Sequence, residues 1–396
     1  MRRPLNLVLS AAVLAMGVLG AGAVAADDAA PVKIGYAIAR SGPWAPGAQS
    51  TQEPNYLLWA EQVNAAGGLN VNGVKRKVEL IGYDDRSDTE TVVRTYEKLM
   101  TVDKVDLILP PWGTNANFAV APLANRYKYP IVAPTALSRD LVNRKLPYFF
   151  CILQQADRMV GAAVDMMAKN GIKTAGAIYM DELFGMETKA AFEAETKKAG
   201  IQVLDMKAVP LGTNDLSGVL QSMKAKNPDA FVAFTYPPES ILASKQSKEI
   251  AFNPKVFFGA VGIAFPLYRD VMGPAAEGVA GMGLWNKSVN AAGAAYYEAH
   301  TKKFGKEPEH WGSAVTYASL QVLQKAVEAV GLDREKIQKY VASNKFDTLI
   351  GPVEFKGSEN VATPGSVGQW QQGQFQIVWP QDRATAKFLM PKPAWQ

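Results

Sequence analysis

Short apolar runs alternate with longer amphipathic segments along the first third of the chain. Residues 32–38, 77–83, 105–109 and 130–133 are rich in Val, Ile and Leu, which predicts buried strands. Between them, residues 53–64, 88–100 and 115–127 carry apolar side chains at helical spacing. Asp88 occupies a helix N-cap position before an acidic first turn. This alternation predicts a parallel sheet with helices on both faces.

The same alternation starts again after Cys151 and continues to about residue 276. Strands are predicted at 174–179, 203–209, 230–234 and 256–258, and helices at 158–169, 183–199, 216–226 and 238–250. Two α/β blocks of similar size indicate two Rossmann-like lobes, because a chain of 396 residues is too long for one hydrophobic core.

The tail follows a different pattern. Helices are predicted at 291–304, 312–330 and 334–341, followed by strands at 351–355, 368–371 and 375–379, the last two as a hairpin. We therefore expect the chain to return to the first lobe and then to the second. The first lobe would contain 26–150 plus 283–348, and the second lobe 151–282 plus 349–396. Three hinge crossings would lie near 148–152, 279–285 and 347–355.

The N-terminus has the pattern of a secretory signal peptide, 1–25. Arg2 and Arg3 precede an uncharged apolar run, which ends in the small-residue cleavage site Ala23-Val24-Ala25. The alternative is an uncleaved anchor, since the run is nearly long enough to span a bilayer. Three glycines in the run weaken the helix and favour cleavage. The sequence thus predicts a mature protein that is free in the periplasm.

Composition narrows the classes of function. The net charge is only +5, and lysines are interspersed with acids, so we expect no nucleic-acid partner. Cys151 is the single cysteine and lies in an apolar run, which predicts a buried side chain rather than a nucleophile. The only histidines are His300 and His310, and no phosphate-loop, hydrolase or zinc-protease motif is present. We expect neither an enzyme, a metal site nor a cofactor.

The loops after the predicted strands are the candidate ligand site, because ligands of open α/β sheets bind beyond the carboxyl ends of the strands. These loops are rich in Gly, Pro, hydroxyl and aromatic residues, and they cover 40–44, 110–115, 134–138, 181–185, 235–239 and 259–263. This composition predicts a small ligand held by backbone and hydroxyl groups between apolar walls. The alternative is that some of the aromatic residues belong to the core or the rim.

Several short motifs in these regions occur in a characteristic order and spacing. They are Ile34-Gly35, Ser41-Gly42-Pro43, Val63-Asn-Ala-Ala-Gly-Gly68, Asp84-Asp-Arg-Ser-Asp88, Pro111-Trp-Gly-Thr114, Tyr129-Pro-Ile-Val-Ala-Pro134 and Phe184-Gly185. Together, residues 31–380 resemble the leucine/isoleucine/valine-binding family of periplasmic solute-binding proteins. The resemblance implies a type I periplasmic binding protein fold, with two Rossmann-like lobes joined by a three-crossing hinge. It also implies delivery of a small-molecule ligand to the membrane permease subunits of an ABC importer. We expect a monomer.

The resemblance also implies where a ligand binds. Amino-acid-binding relatives hold the ligand carboxylate with hydroxyl and N–H groups of two loops, which match Trp112, Gly113 and Thr114 and then Thr135, Ala136 and Leu137. Thr114 and Thr135 offer hydroxyls here, whereas Leu137 replaces the second-loop threonine. The family's aromatic positions in the second lobe match Phe184, which lacks a hydroxyl, and Tyr236.

Val261 is the largest departure from the family pattern, because amino-acid binders have an acidic residue there for the ligand ammonium. Burying an unpaired ammonium costs several kcal/mol. We therefore expect an apolar or aromatic carboxylate without an ammonium group, with an amino acid as the alternative ligand. The expected walls are Trp44, Trp112, Phe184, Tyr236 and Phe265. Arg40 is either a charge partner of the carboxylate or a solvated rim residue.

Two other functions share parts of this pattern. A sensory receptor that presents its closed form to a chemoreceptor or histidine kinase would use the same fold, and fold alone does not decide between them. A periplasmic hydrolase is the third class, and the absence of a recognisable nucleophile–base set argues against it.

Overall fold

The computed structural model describes residues 29–396 together with Met1. Apart from Met1, the predicted signal peptide, 1–25, lies outside these residues. Within the part that is described, no helix is both long enough and apolar enough to cross a membrane.

The described residues form an alternating α/β chain. The strands are β1 (Val32–Ile38), β2 (Leu69–Val71), β3 (Val74–Arg76), β4 (Val78–Asp84), β5 (Leu107–Ile108), β6 (Ile131–Ala133), β7 (Phe149–Cys151), β8 (Thr174–Met180), β9 (Gln202–Val209), β10 (Ala230–Phe234), β11 (Val256–Gly259), β12 (Ala280–Met282), β13 (Lys345–Thr348), β14 (Gly351–Lys356), β15 (Glu359–Asn360), β16 (Val367–Gln371) and β17 (Gln374–Trp379).

The helices lie between and after these strands. They are α1 (Ala45–Thr51), α2 (Glu53–Ala65), α3 (Thr89–Thr101), α4 (Thr114–Tyr127), α5 (Arg139–Asn143), α6 (Ala156–Lys169), α7 (Leu183–Ala199), α8 (Ser217–Lys226), α9 (Pro237–Glu249), α10 (Pro266–Met272), α11 (Ala291–Phe304), α12 (Ser313–Val330) and α13 (Arg334–Ser343). Three short 3₁₀ helices cover Gly262–Ala264, Gly273–Ala276 and Gln381–Arg383.

The first lobe contains three groups of paired strands, of which the smallest is the antiparallel pair β2–β3. Strand β1 lies between β4 and β5 and runs parallel to both. The second group has the order β6-β7-β15-β14-β13. Strands β6 and β7 are a parallel pair, and β15, β14 and β13 continue the sheet beyond β7. The helices of the tail also pack on this lobe. Trp59 Nε1 donates to Gln324 Oε1 at 2.9 Å, and the Tyr296 hydroxyl donates to Asn55 Oδ1 at 2.6 Å.

The second lobe is built on one seven-stranded sheet of order β9-β8-β10-β11-β12-β16-β17. The first five strands are parallel, as expected for strands joined by crossover helices. Strands β16 and β17 form the antiparallel hairpin that the sequence predicted. This hairpin continues the sheet beyond β12.

The chain passes between the lobes after β7, after β12 and after β15. The third crossing differs from its predicted position, 347–355, and from the predicted lobe boundary at 349. Gly351–Lys356 and Glu359–Asn360 pair within the first lobe instead, since β15 lies beside β7. The crossing therefore follows Asn360 and uses residues 361–366, a Pro- and Gly-containing segment that leads into β16.

Local sequence explains the start of several elements. Asp88 caps α3, and its Oδ1 accepts from the Thr91 N–H at 2.7 Å, which confirms the predicted capping role. Ser138 caps α5 in the same way through Leu141 N–H. Cys151 is fully buried in β7, and burial raises the pKa of its thiol to about 12. The thiol is therefore protonated and inert at neutral pH.

Candidate ligand-binding cleft

Loops from both lobes meet where the parallel strands end. They enclose one small cavity, and its lining comprises Trp112, Gly113, Thr114, Thr135, Leu137, Phe184, Tyr236, Val261 and Trp311. Eight of these nine residues belong to the predicted site. These eight follow the carboxyl ends of β5, β6, β8, β10 and β11, as expected for a ligand site of an open α/β sheet.

The first-lobe wall begins at Trp112, whose side chain is buried. Its ring lies on α1 at Gly47, where an added Cβ would be 2.2 Å from the Trp112 Cζ2 atom. Only glycine at position 47 leaves enough space for the Trp112 ring. Gly113 follows with φ +88°, a left-handed backbone that favours glycine.

Gly113 is also the N-cap of α4, and it has no side chain to accept hydrogen bonds from the first helical turn. The N–H groups of that turn therefore remain available at the positive end of the helix dipole. Thr114, the first residue of α4, lines the cavity beside them. This arrangement suits an anionic group such as a carboxylate.

The hydroxyls of Thr114 and Thr135 are in different situations. Thr135 Oγ1 donates to Gln52 Oε1 at 2.6 Å and accepts from the Gly113 N–H at 3.0 Å. Its only proton is thus used, so Thr135 holds the Gly113 backbone rather than donating to a ligand. Thr114 Oγ1 accepts a long hydrogen bond from Leu137 N–H, at 3.3 Å. Its proton has no acceptor among the described residues and can be donated into the cavity.

The second-lobe wall is aromatic and apolar. The rings of Phe184 and Tyr236 stack, with centroids 5.2 Å apart and an interplanar angle of 17°. Trp112 of the first lobe meets Tyr236 at the same centroid distance, tilted by 54°. Burial raises the pKa of the Tyr236 hydroxyl well above its usual value, so that it stays protonated. Val261 completes this wall.

The cavity between these rings is small. Its volume is about 10 Å³, which is room for about one water molecule. A ring-sized solute therefore requires Trp112 to move away from Tyr236 and Phe184.

Four predicted residues lie outside the cavity lining. Arg40 is not a lining residue, and its guanidinium lies 2.6 Å from the Glu53 carboxylate. Trp44 is buried at the start of α1, and Ala136 is buried between two lining residues. Phe265 lines a neighbouring cavity, open to solvent, with a volume of about 220 Å³, together with Ser50 and His300.

Two features of the cleft are absent from the predicted site. Trp311, from the segment before α12, lines the cavity with its buried ring. Its only sequence signal is an aromatic residue directly before a Gly-Ser helix start. Asn115 of the first lobe donates from Nδ2 to Glu182 Oε2 of the second lobe at 2.7 Å. Burial raises the pKa of the Glu182 carboxyl.

No acidic side chain lines the cavity within the described structure. Glu182, close by in the Asp181–Gly185 loop, is already engaged by Asn115. In residues 29–396 no three His, Cys, Asp or Glu side chains are grouped as metal ligands would be. The polar groups that face the cavity are therefore hydroxyls, indoles and backbone N–H groups.

A family model described as "Periplasmic binding protein" matches residues 31–374. The chain belongs to this family. Among curated relatives, "Leu/Ile/Val-binding protein homolog 8" of Brucella abortus is 24% identical over 357 residues, which cover 85% of this chain and 87% of the relative. The family resemblance drawn from the short motifs is thus confirmed.

Solved structures confirm the type I periplasmic binding protein fold. The leucine binding protein LivK from Thermotoga maritima aligns with a TM-score of 0.77 at 22% identity and covers 87% of this chain and 97% of its own. An ABC transporter solute binding protein from R. palustris, in complex with benzoate, aligns with a TM-score of 0.79 at 18% identity, covering 92% and 97%.

This chain is therefore a periplasmic binding protein, and the family implies a periplasmic location. Its relatives are binding proteins rather than enzymes. Both the family and the cleft indicate a small-molecule ligand as the partner.

Proposed function

We propose that this protein captures a small apolar or aromatic carboxylate without an ammonium group, after export by the N-terminal signal peptide. The captured solute would be delivered to the membrane permease subunits of an ABC importer. The proposed ligand class rests on one observation. The uncapped first turn of α4 and the Thr114 hydroxyl face a cavity that has no acidic side chain among its described lining residues.

The two halves of the cavity would act on different parts of the solute. The N–H groups at the start of α4 and the Thr114 proton would bind the carboxylate. Phe184, Tyr236, Trp112 and Trp311 would cover the apolar part, since aromatic side chains offer large flat contact areas. The benzoate-bound neighbour supports this ligand class for the same fold.

Val261 argues against a free amino acid as the main solute. An α-ammonium bound beside it would be buried next to methyl groups. Glu182, in the loop before α7, is absent from the cavity lining and accepts from Asn115 through Oε2, while its Oε1 has no partner among the described residues. An ion buried without a partner costs several kcal/mol, which would offset much of the affinity from the apolar contacts.

A thermal-shift series with matched pairs of solutes tests this proposal. Leucine is compared with 4-methylpentanoate, and phenylalanine with 3-phenylpropanoate, so that each pair differs only in the amino group; benzoate is added as an aromatic probe. We expect the acids without an amino group to raise the Tm, because a ligand at 100 times its Kd stabilises the native state by about 2.7 kcal/mol. Stabilisation by leucine but not by 4-methylpentanoate would refute the ligand class.

A further inference from the structure

Helix α7 of the second lobe reaches across the cleft to the first lobe with a second carboxylate. Glu187, in the second turn of α7, accepts from the Ser138 hydroxyl at 2.6 Å through Oε1. Its other oxygen, Oε2, accepts from the Arg139 N–H at 3.1 Å. Both oxygens of one carboxylate are thus bonded to the opposite lobe.

Glu187 contacts the first lobe beside the solute site without being part of it. It is absent from the cavity lining, whereas Leu137, the residue before Ser138, is present. The hydrogen bond between Asn115 and Glu182 is similar. Glu182 lies just before α7 in the second lobe, and its first-lobe partner Asn115 directly follows the lining residue Thr114. Helix α7 therefore holds the two first-lobe loops that flank the proposed carboxylate site.

Arg139 connects this contact to the hinge. Its guanidinium lies 2.5 Å from Asp157 and 2.7 Å from Glu359. Asp157 lies in the first turn of α6, just after the first crossing, and Glu359 precedes the third crossing. Arg158 also reaches Glu359, at 3.4 Å. The peptide that binds Glu187 is thereby fixed to the chain segments about which the lobes would rotate.

We propose that Glu187 is a closing latch: it sets how long a solute stays bound by holding the lobes together, without touching the solute. This inference rests on the proposed capture of a solute between the lobes. The Glu187 bonds exist only while α7 lies against the Ser138 loop, so they stabilise the closed arrangement and not the open one. Hydrogen bonds to a charged group are stronger than those between neutral groups.

The kinetic test compares Glu187→Ala and Glu187→Gln with the wild type, using benzoate as the probe in stopped-flow tryptophan fluorescence. We expect Glu187→Ala to raise koff about tenfold to hundredfold. The association rate should not fall, because the solute enters the open form and the variant populates that form at least as much as the wild type. Glu187→Gln keeps the shape but not the charge, so its koff should be intermediate.

Glu193→Ala is the matched control, since Glu193 lies on the same helix and pairs with Lys189 of α7 rather than with the first lobe. Its koff should equal that of the wild type. Circular dichroism checks that each variant is folded, and Glu187→Gln keeps the test usable if the alanine variant is not. An unchanged koff in both folded Glu187 variants would overturn the latch.

A distance measurement separates this inference from the proposed function. Spin labels at Lys75→Cys and Lys197→Cys, both exposed positions on opposite lobes, leave the buried Cys151 unlabelled. Without any solute, we expect Glu187→Ala to lengthen or broaden the distance distribution relative to the wild type and Glu193→Ala. Identical distributions would refute the latch even if benzoate binds. A changed distribution without benzoate binding would retain the latch and refute the ligand class.

Discussion

The two threonines of the cleft show how hydrogen bonding assigns roles to identical side chains. Both were predicted to offer hydroxyls to a carboxylate. Thr135 donates to Gln52 and accepts from Gly113, so it supports the loop that begins α4. Thr114 keeps a free proton beside the helix N-terminus. One threonine thus shapes the site and the other is able to bind.

Substitution by valine, which keeps the shape and removes the hydroxyl, separates these roles. Thr114→Val should weaken benzoate binding about tenfold or more, because a hydrogen bond to a charged group is lost. Thr135→Val should instead lower the free energy of unfolding by about 1–3 kcal/mol, since it leaves Gln52 and the Gly113 N–H unpaired. Calorimetric titration and urea unfolding measure the two effects. Thr114→Ser should recover most of the affinity; a Thr114→Val variant with wild-type affinity would contradict the assignment.

At the scale of elements, alternation and capping predicted most of the helices and strands. The strand-end loops were likewise predictable, because a parallel sheet brings the carboxyl ends of its strands to one edge. The position of the third crossing was not predictable. Strands β14 and β15 join the first lobe through pairing with β7, a long-range contact that no local pattern encodes. Trp311 and the Asn115–Glu182 pair, 67 residues apart, were missed for the same reason.

Helix α12 begins at an unusual cap. Glu309 is buried, and its carboxylate accepts from the N–H groups of Trp311, Gly312 and Ser313. Burial nevertheless raises its pKa to about 7, against the lowering effect of these bonds. The raised pKa means that the folded protein holds this proton more tightly than the unfolded chain.

Glu309 should therefore make stability depend on pH. Its contribution is fully present below the unfolded pKa of about 4.5 and is lost as the pH rises through about 7. In Glu309→Gln this dependence is absent. The free energy of unfolding of the variant minus that of the wild type should rise with pH between 4.5 and 7, by up to about 1.4 kcal/mol per pH unit. Urea unfolding across this range measures the difference, in which the other titrating groups cancel. A difference that stays flat or falls would show that Glu309 is charged throughout.

At the scale of the whole molecule, the lobes meet through two kinds of contact. Aromatic rings meet at the centre of the cleft, and the carboxylates of Glu182, just before α7, and Glu187, within α7, bind first-lobe loops beside it. The aromatic rings at the centre determine which solute fits, and the hydrogen bonds beside them hold the lobes together. Hinge movement about the three crossings would alternate between this arrangement and an open one. Specificity and residence time would therefore depend on different residues.

A crystal structure of the protein with benzoate tests the central claim most directly. We predict the benzoate ring between Trp112 and Tyr236, and its carboxylate within hydrogen-bonding distance of Thr114 Oγ1 and of the first N–H groups of α4. Absence of benzoate from the cleft at saturating concentration, or a carboxylate that points away from α4, would contradict the account.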